Sequence, residues 1–116
     1  MKILIVLNDG PYGSERAYNG LRLAGSLAKQ ESVAVDVFLA GDAAGCARSG
    51  QQVPAGYYNV ATMLALVLKR GGRVGVCGTC MDARGLTDTD LIEGARRSTL
   101  DEWAAWTMAA DQTLVF

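Results

Sequence analysis

The sequence predicts a three-layer α/β sandwich built from parallel βα units. Two continuous apolar runs, Lys2–Leu7 and Val33–Leu39, are typical of strands that helices cover on both faces. Segments with apolar residues at helical spacing follow them, so strands and helices alternate along the chain. We expect one domain, 1–116, because this length suits a single core and half of the residues are apolar.

The first half of the chain contains two predicted strands, each followed by a helix. The elements are the strand Lys2–Leu7, a helix over Glu15–Gln30, the strand Val33–Leu39 and a short helix within Gly41–Ser49. Turn-forming residues fill Asn8–Gly13, and Ser14 is the expected N-cap of the first helix. Cys46 lies among alanines and glycines, which favours burial over reactivity.

The second half continues the same alternation. The elements are a helix over Val60–Arg70, the strand Arg73–Cys77, a short helix over Thr89–Glu93, an extended piece at Gly94–Arg97, a helix over Leu100–Ala110 and the strand Thr113–Phe116. The expected caps are Asn59, Gly71, the pair Thr87 and Asp90, and the pair Thr99 and Glu102. Gly78–Thr87 is expected to form a loop.

Composition argues against nucleic-acid binding and membrane insertion. The formal net charge is −1 and the pI is about 5.3, and the basic pair Arg96 and Arg97 near a turn is interpreted as a solvated face. The apolar run Met63–Leu68 is far shorter than the ~20 residues that cross a bilayer. We therefore expect a cytoplasmic protein without a cofactor. Reduced cysteines in such a compartment are more often catalytic or metal-binding than structural.

The stretch VCGTCMDARG, residues 76–85, concentrates the chemically versatile side chains: Cys77, Cys80, Asp82 and Arg84. The chain has no histidine, which excludes hydrolase machinery that depends on an imidazole base. A zinc site normally needs four ligands, so one CxxC pair is only a weak signal of metal binding. We expect no metal.

A thioredoxin-like dithiol is a stronger alternative, because a CxxC pair after a strand is that motif's setting. Two features speak against it. The residues after Cys80 look like a loop instead of a long helix. Thioredoxins also place a proline opposite the dithiol, later in the chain, whereas Pro11 and Pro54 both precede the motif.

The remaining interpretation is a thiolate nucleophile, whose pKa must fall for use at neutral pH. Backbone N–H groups and Arg84 are the candidate stabilisers, and Asp82 is a candidate partner for Arg84. Simple bracing of the loop by that pair is an equally good interpretation.

The first βα turn is a candidate wall of the same pocket, because it leaves the same edge of a parallel sheet. Asn8, Tyr12 and Ser14 offer hydrogen-bond donors, and Gly13 opens the turn. Plain turn chemistry explains these residues equally well.

Several segments resemble the DsrE/DsrF-like family of small sulfur-relay proteins, and most closely its YchN-type branch. They are KILIVLNDGPYGSERAYNGLRLA, GYYNVATML, VCGTCMDARG and TLDEWAAWTMAADQTLVF, which together cover essentially the whole chain. The resemblance implies a parallel sheet of about five strands between helical layers. It also implies a homo-oligomer, either trimer or hexamer.

The resemblance further implies a persulfide carrier. Relay members carry sulfur on one cysteine at the position of Cys77 and pass it between donor and acceptor proteins. The branch pattern adds Cys80, Asp82, Arg84 and Gly85, and the second cysteine is a departure from the relay subunits. Our leading hypothesis is therefore sulfur transfer through Cys77, with Cys80 as a resolving thiol. Gly78 and Thr79 supply N–H groups beside the sulfur in this hypothesis.

Two rival functions stay open at this point. Cys77 and Cys80 form a dithiol redox or sensing pair in the first. The second is a non-catalytic oligomeric binding protein, which the aromatic residues Tyr57, Tyr58, Trp103 and Trp106 favour as interface formers.

Overall fold

The computed structural model describes all 116 residues and has five strands and four α-helices. In chain order these are β1 (Lys2–Leu7), α1 (Arg16–Ala28), β2 (Ala34–Leu39), α2 (Val60–Lys69), β3 (Val74–Cys77), α3 (Gly78–Ala83), β4 (Ala95–Ser98), α4 (Leu100–Ala109) and β5 (Gln112–Val115). Two 3-10 segments, Gly41–Ala47 and Asp88–Asp90, complete the structure.

All five strands are parallel and lie in the order β4-β3-β2-β1-β5, which confirms the predicted α/β sandwich. Side chains of β1 alternate between the faces, as a strand requires. Ile3, Ile5 and Leu7 join the larger core with α1 and α2, whereas Leu4 and Val6 join the smaller core under α4.

Trp106 fixes α4 against the second face of the sheet. The indole is only 5% exposed, and it meets the Phe38 ring edge-on with the centroids 6.1 Å apart. The Arg73 guanidinium lies 4.2 Å from the indole centroid, a cation–π contact. Gly75 leaves the space for this packing, because a Cβ there would lie 3.1 Å from Trp106.

Several predicted caps are confirmed by their hydrogen bonds. Asn59 Oδ1 accepts from Thr62 N at 3.1 Å, and Thr99 Oγ1 accepts from Glu102 N at 3.1 Å. Thr87 and Asp90 form a capping box, and Gly71 ends α2 with φ of +89°.

Three local predictions were wrong. Gly78–Ala83 is a short helix and not a loop, because Cys77 turns the chain directly into a helical turn. Glu15, not Ser14, is the N-cap of α1, and the Ser14 hydroxyl binds Asp9 Oδ2 at 2.6 Å. The helix predicted over Thr89–Glu93 is one 3-10 turn that begins at Asp88.

No helix in the structure combines the length and apolar character that crossing a membrane requires.

Candidate functional site

Cys77 lies at the carboxyl end of β3, the edge where ligands bind in open parallel sheets. It is also the N-cap residue of α3, and it is half-buried. Its Sγ lies 3.4 Å from Thr79 Oγ1. The thiol is therefore reachable and lies beside hydrogen-bond donors.

The surroundings of Cys77 favour its thiolate. Burial opposes ionisation, but hydrogen bonds from the Cys80 thiol, the Thr79 hydroxyl and the N–H groups of Cys80 and Thr79 outweigh it. Together they hold the pKa of Cys77 below its usual value. The predicted stabilisation by backbone N–H groups is present at Thr79 and Cys80.

Cys80 lies on α3 and is half-buried against the 3-10 segment that follows β2. Its Sγ accepts a hydrogen bond from Gly41 N at 3.1 Å. Burial, and then the neighbouring Cys77, raise the pKa of Cys80, although the Gly41 N–H and the Arg84 charge act in the opposite direction. Of the two thiols, Cys77 therefore ionises first.

Arg84 braces α3 instead of covering Cys77. Its Nε and Nη2 donate to Asp42 Oδ1 at 3.0 and 2.7 Å, and its Nη1 donates to Cys80 O at 3.0 Å. The predicted pairing of Arg84 with Asp82 is wrong. Residues two apart on a helix point to opposite sides, so these two side chains cannot face each other there.

Asp82 instead binds Arg97, a residue for which the sequence predicts only a solvated face. Arg97 Nη1 and Nη2 donate to the two oxygens of Asp82 at 2.7 and 2.9 Å. Hydrogen bonding to Asp82 raises the pKa of Arg97, and the charge of Cys77 adds to it. Arg97 is thus the guanidinium next to the candidate nucleophile.

Gly78 makes room for that guanidinium. A Cβ at Gly78 would lie 2.8 Å from Arg97 Nε and 2.9 Å from Cζ, both shorter than ordinary contacts. Sequence reasoning missed Arg97 because it lies on another strand. The one usable signal was its position near the carboxyl end of the predicted extended piece.

A cleft of about 370 Å³ opens beside Cys77. Four elements contribute to it, namely β2, the junction of β3 with α3, β4 and the start of α4. Its lining residues are Phe38, Cys77, Gly78, Thr79, Arg97, Ser98, Thr99, Leu100 and Trp103. The Trp103 ring stacks on Phe38 with the centroids 4.7 Å apart, which gives the cleft a rigid aromatic wall.

The predicted donors of the first βα turn bind other partners. Asn8 Nδ2 donates to Phe116 O at 3.2 Å, Tyr12 donates to the Gln51 side chain, and Ser14 donates to Asp9. Gly13 lies in open space. The prediction that the first βα turn forms a wall of the pocket is therefore wrong. Strand β2 lies between β1 and β3, and the segment that follows β2 contacts Cys80.

Cys46 is buried in the larger core, as expected. Burial, together with the charge of Asp9, raises the pKa of Cys46 to about 12. Its thiol lies 3.6 Å from Asp9 O. Cys46 is therefore a structural residue. No group of three or more cysteine and acidic side chains lies close enough to hold a metal ion.

The model of the DsrE/DsrF-like family matches residues 1–116. Protein YchN of Escherichia coli (strain K12) is 43% identical over 116 residues, which cover 99% of this chain and 98% of YchN. An uncharacterised protein of Methanocaldococcus jannaschii, MJ0989, is 36% identical over 116 residues and is covered in full. The crystal structure of the E. coli YchN protein superposes with a TM-score of 0.93 at 42% identity, covering 100% of this chain and 99% of that one. The chain therefore belongs to the DsrE/DsrF-like family.

Proposed function

We propose that this protein accepts sulfane sulfur as a persulfide on Cys77 and passes it to a partner protein. The observation that carries the proposal is the environment of the Cys77 thiol, which favours ionisation and leaves the sulfur accessible. Cys77 is half-buried at the carboxyl edge of the sheet, its pKa is lowered by the groups around it, and it opens into a cleft. Membership of a family that includes sulfur-relay proteins supports it.

The chemistry needs no cofactor. The Cys77 thiolate attacks the outer sulfur of a donor persulfide, so that a new S–S bond forms on Cys77 and the donor leaves as a thiolate. An acceptor thiolate then attacks the outer sulfur on Cys77 and leaves the Cys77 thiolate behind. Neither step changes the net oxidation state. The thiol must stay free of disulfide bonds to accept sulfur, so we expect a reducing compartment such as the cytoplasm.

Cys80 is the proposed resolving thiol. The two thiols shift each other's pKa, and the raised pKa of Cys80 keeps it protonated when Cys77 is already ionised. When it loses its proton, Cys80 attacks the inner sulfur of the Cys77 persulfide. A Cys77–Cys80 disulfide forms and hydrosulfide leaves. Loading without an acceptor would therefore end in sulfide release at alkaline pH.

Mass measurement tests the carrier. The reduced protein is incubated with a persulfide donor, and we expect an added mass of roughly 32 Da, one sulfur atom, on the peptide that contains Cys77. Cys77→Ser should abolish the adduct, and Cys80→Ser should prolong its lifetime. The matched control is Cys46→Ser, which leaves the site untouched. An equal adduct on Cys77→Ser, or none on the native chain, refutes the carrier.

A dithiol redox or sensing pair is the second candidate, because the two thiols lie on one helical turn and shift each other's pKa. The short helix after Cys77 makes this alternative stronger than the sequence suggested. A reduction potential near the cytosolic value, with no persulfide formed, would favour it over sulfur transfer.

We also propose a homo-oligomer, trimer or hexamer, that uses the outer face of α4. Leu100 is 74% exposed and Met108 is 82% exposed on a helix that buries only Trp106. These two side chains, together with Trp103, Ala104 and Thr107, line a surface groove of about 340 Å³. Exposed apolar patches of this kind mark contacts with other chains. A second copy of this chain is the proposed occupant.

A further inference from the structure

We propose that the cleft beside Cys77 binds a small organic persulfide, RS–SH with an uncharged R group, as the direct sulfur donor. This inference rests on the proposed function and names the class of its substrate. The alternatives are an inorganic polysulfide, which has no R group, and a persulfide on another protein.

The size of the cleft fits a small molecule. Its volume of about 370 Å³ lies within the range of roughly 300–1,000 Å³ typical of ligand pockets. The Cys77 thiol lies in its wall, so a donor held there has its sulfur next to the nucleophile. An inorganic polysulfide would leave much of this space empty.

Apolar groups form the wall that would hold R. The half-buried Trp103 ring, which stacks on the fully buried Phe38, lies on one side, and the exposed Leu100 forms an aliphatic rim. Neither hydrosulfide nor a polysulfide chain requires such a surface. An alkyl or aryl group buries it from water, which favours binding by the hydrophobic effect.

Positive charge lies where the reaction needs it. Arg97 lines the cleft whereas its partner Asp82 does not, so the positive member of this ion pair is the one that borders the cleft. Thr79 adds a hydroxyl group beside Cys77. Negative charge moves from Cys77 to the departing thiolate during transfer, and the Arg97 cation in the wall of the cleft favours that charge throughout.

The transfer step balances without a further reactant. Cys77–S⁻ attacks the terminal sulfur of RS–SH, a bond forms between the two sulfurs, and the RS–S bond breaks. The products are Cys77–S–SH and RS⁻. The electron pair of the broken bond leaves on RS⁻, which then takes a proton from water, and the oxidation state is conserved.

Loading kinetics test the inference. The rate of Cys77 persulfidation is measured by mass, as a function of concentration, for methyl, butyl and benzyl hydrodisulfides and for inorganic polysulfide. We expect saturation with the butyl and benzyl donors and a second-order rate constant roughly tenfold above that of the methyl donor, because apolar pockets discriminate by about this factor per group.

Two variants on α4 test whether the preference for butyl and benzyl donors arises in the cleft. Leu100→Ser removes an exposed apolar group from the cleft, and it should abolish most of the preference for butyl and benzyl donors without unfolding the protein. Met108→Ser is the matched control, since Met108 shares the proposed oligomer face with Leu100 but lies outside the cleft, so it reproduces any effect of weakening that face. The preference should survive in that control.

The outcomes distinguish a failure of this inference from a failure of the proposed function. Equal rate constants for all four donors, without saturation, overturn the small-molecule site but leave Cys77 as a carrier. Saturable loading only from inorganic polysulfide also overturns it. No adduct with any donor refutes the carrier itself.

Discussion

The carboxylate of Asp82 binds the guanidinium of Arg97 through two hydrogen bonds of 2.7 and 2.9 Å. The contact joins α3 to β4 on the side of the site that faces the cleft. A second ion pair, Arg84 with Asp42, joins α3 to the opposite side at 2.7 Å. Helix α3, which contains Cys80, is thus held between β4 on one side and the segment after β2 on the other. Cys77 lies on the Arg97 side, and Cys80 on the Arg84 side.

Arg97→Gln removes the cation beside Cys77. We expect the pKa of Cys77 to rise, because the thiolate loses a favourable charge. Alkylation of Cys77 by iodoacetamide at pH 7 should slow roughly twofold to fivefold, the range for exposed charge interactions. Arg96→Gln is the control, since Arg96 pairs with Glu102 away from the thiols. An unchanged rate in Arg97→Gln would contradict this role.

Gly78→Ala separates stability from reactivity. The added Cβ would push the Arg97 guanidinium away, because it would lie 2.8 Å from Nε. The end of a long side chain moves easily, and alanine suits a helix better than glycine by up to about 1 kcal/mol. We therefore expect unfolding in urea to change little while Cys77 alkylation slows as in Arg97→Gln. Gly13→Ala, where the Cβ meets open space, should change neither.

Cys77 should lose its proton at a lower pH than Cys80. The pKa of Cys77 lies below its usual value and that of Cys80 above it, so the alkylation rate of Cys77 should rise at the lower pH. Cys80→Ala removes a donor to Cys77 and should move that midpoint upward. Mass spectrometry of each peptide across pH 6–11 would follow both thiols (a range chosen around the usual thiol pKa of about 8.5). The reverse order of reaction would contradict the assignment of Cys77 as nucleophile.

Cys46 should make stability fall at alkaline pH. Its pKa is raised to about 12 in the folded state, so its contribution is complete below the pKa of the unfolded thiol. Between that value and about 12, only the unfolded chain loses the proton, and the free energy of unfolding falls by up to about 1.4 kcal/mol per pH unit. Urea unfolding of the native chain and of Cys46→Ala should show a shallower decline in the variant. Parallel declines would contradict the prediction.

Met108→Asp should dissociate the proposed oligomer. The carboxylate would be buried without a partner if α4 forms the interface, so the sedimentation coefficient should fall to that of a monomer at micromolar concentration. Tyr57→Asp changes an exposed aromatic residue on a different surface and should keep the oligomer. If Tyr57→Asp dissociates it and Met108→Asp does not, the interface lies at the loop instead.

Much of the local structure could be predicted from the sequence. The apolar run of β1 specified a buried strand, and the Asn59 and Thr99 caps formed at the residues that the pattern indicated. The position of Cys77 at a strand end was also correct. These features depend on contiguous residues, so periodicity and capping chemistry are enough to find them.

Side-chain partners within the site could not be predicted in the same way. Asp82 and Arg84 are two residues apart and looked like a pair, but the turn of α3 sends them to opposite sides. The donors of the first turn looked available, but Phe116, Gln51 and Asp9 bind them. Competition among partners from distant parts of the chain decides such contacts, and spacing does not encode it.

The sequence by itself determined that a thiol lies at the carboxyl edge of a parallel sheet, in a chain that has no imidazole to activate it. Only the tertiary structure decided which cation accompanies that thiol. The strand order places β4 beside β3 with Cys77 opposite Ser98, and so brings in Arg97, 15 residues beyond Asp82. The lateral order of parallel strands follows from how the connecting helices pack across the sheet, and no local pattern in the sequence contains that information.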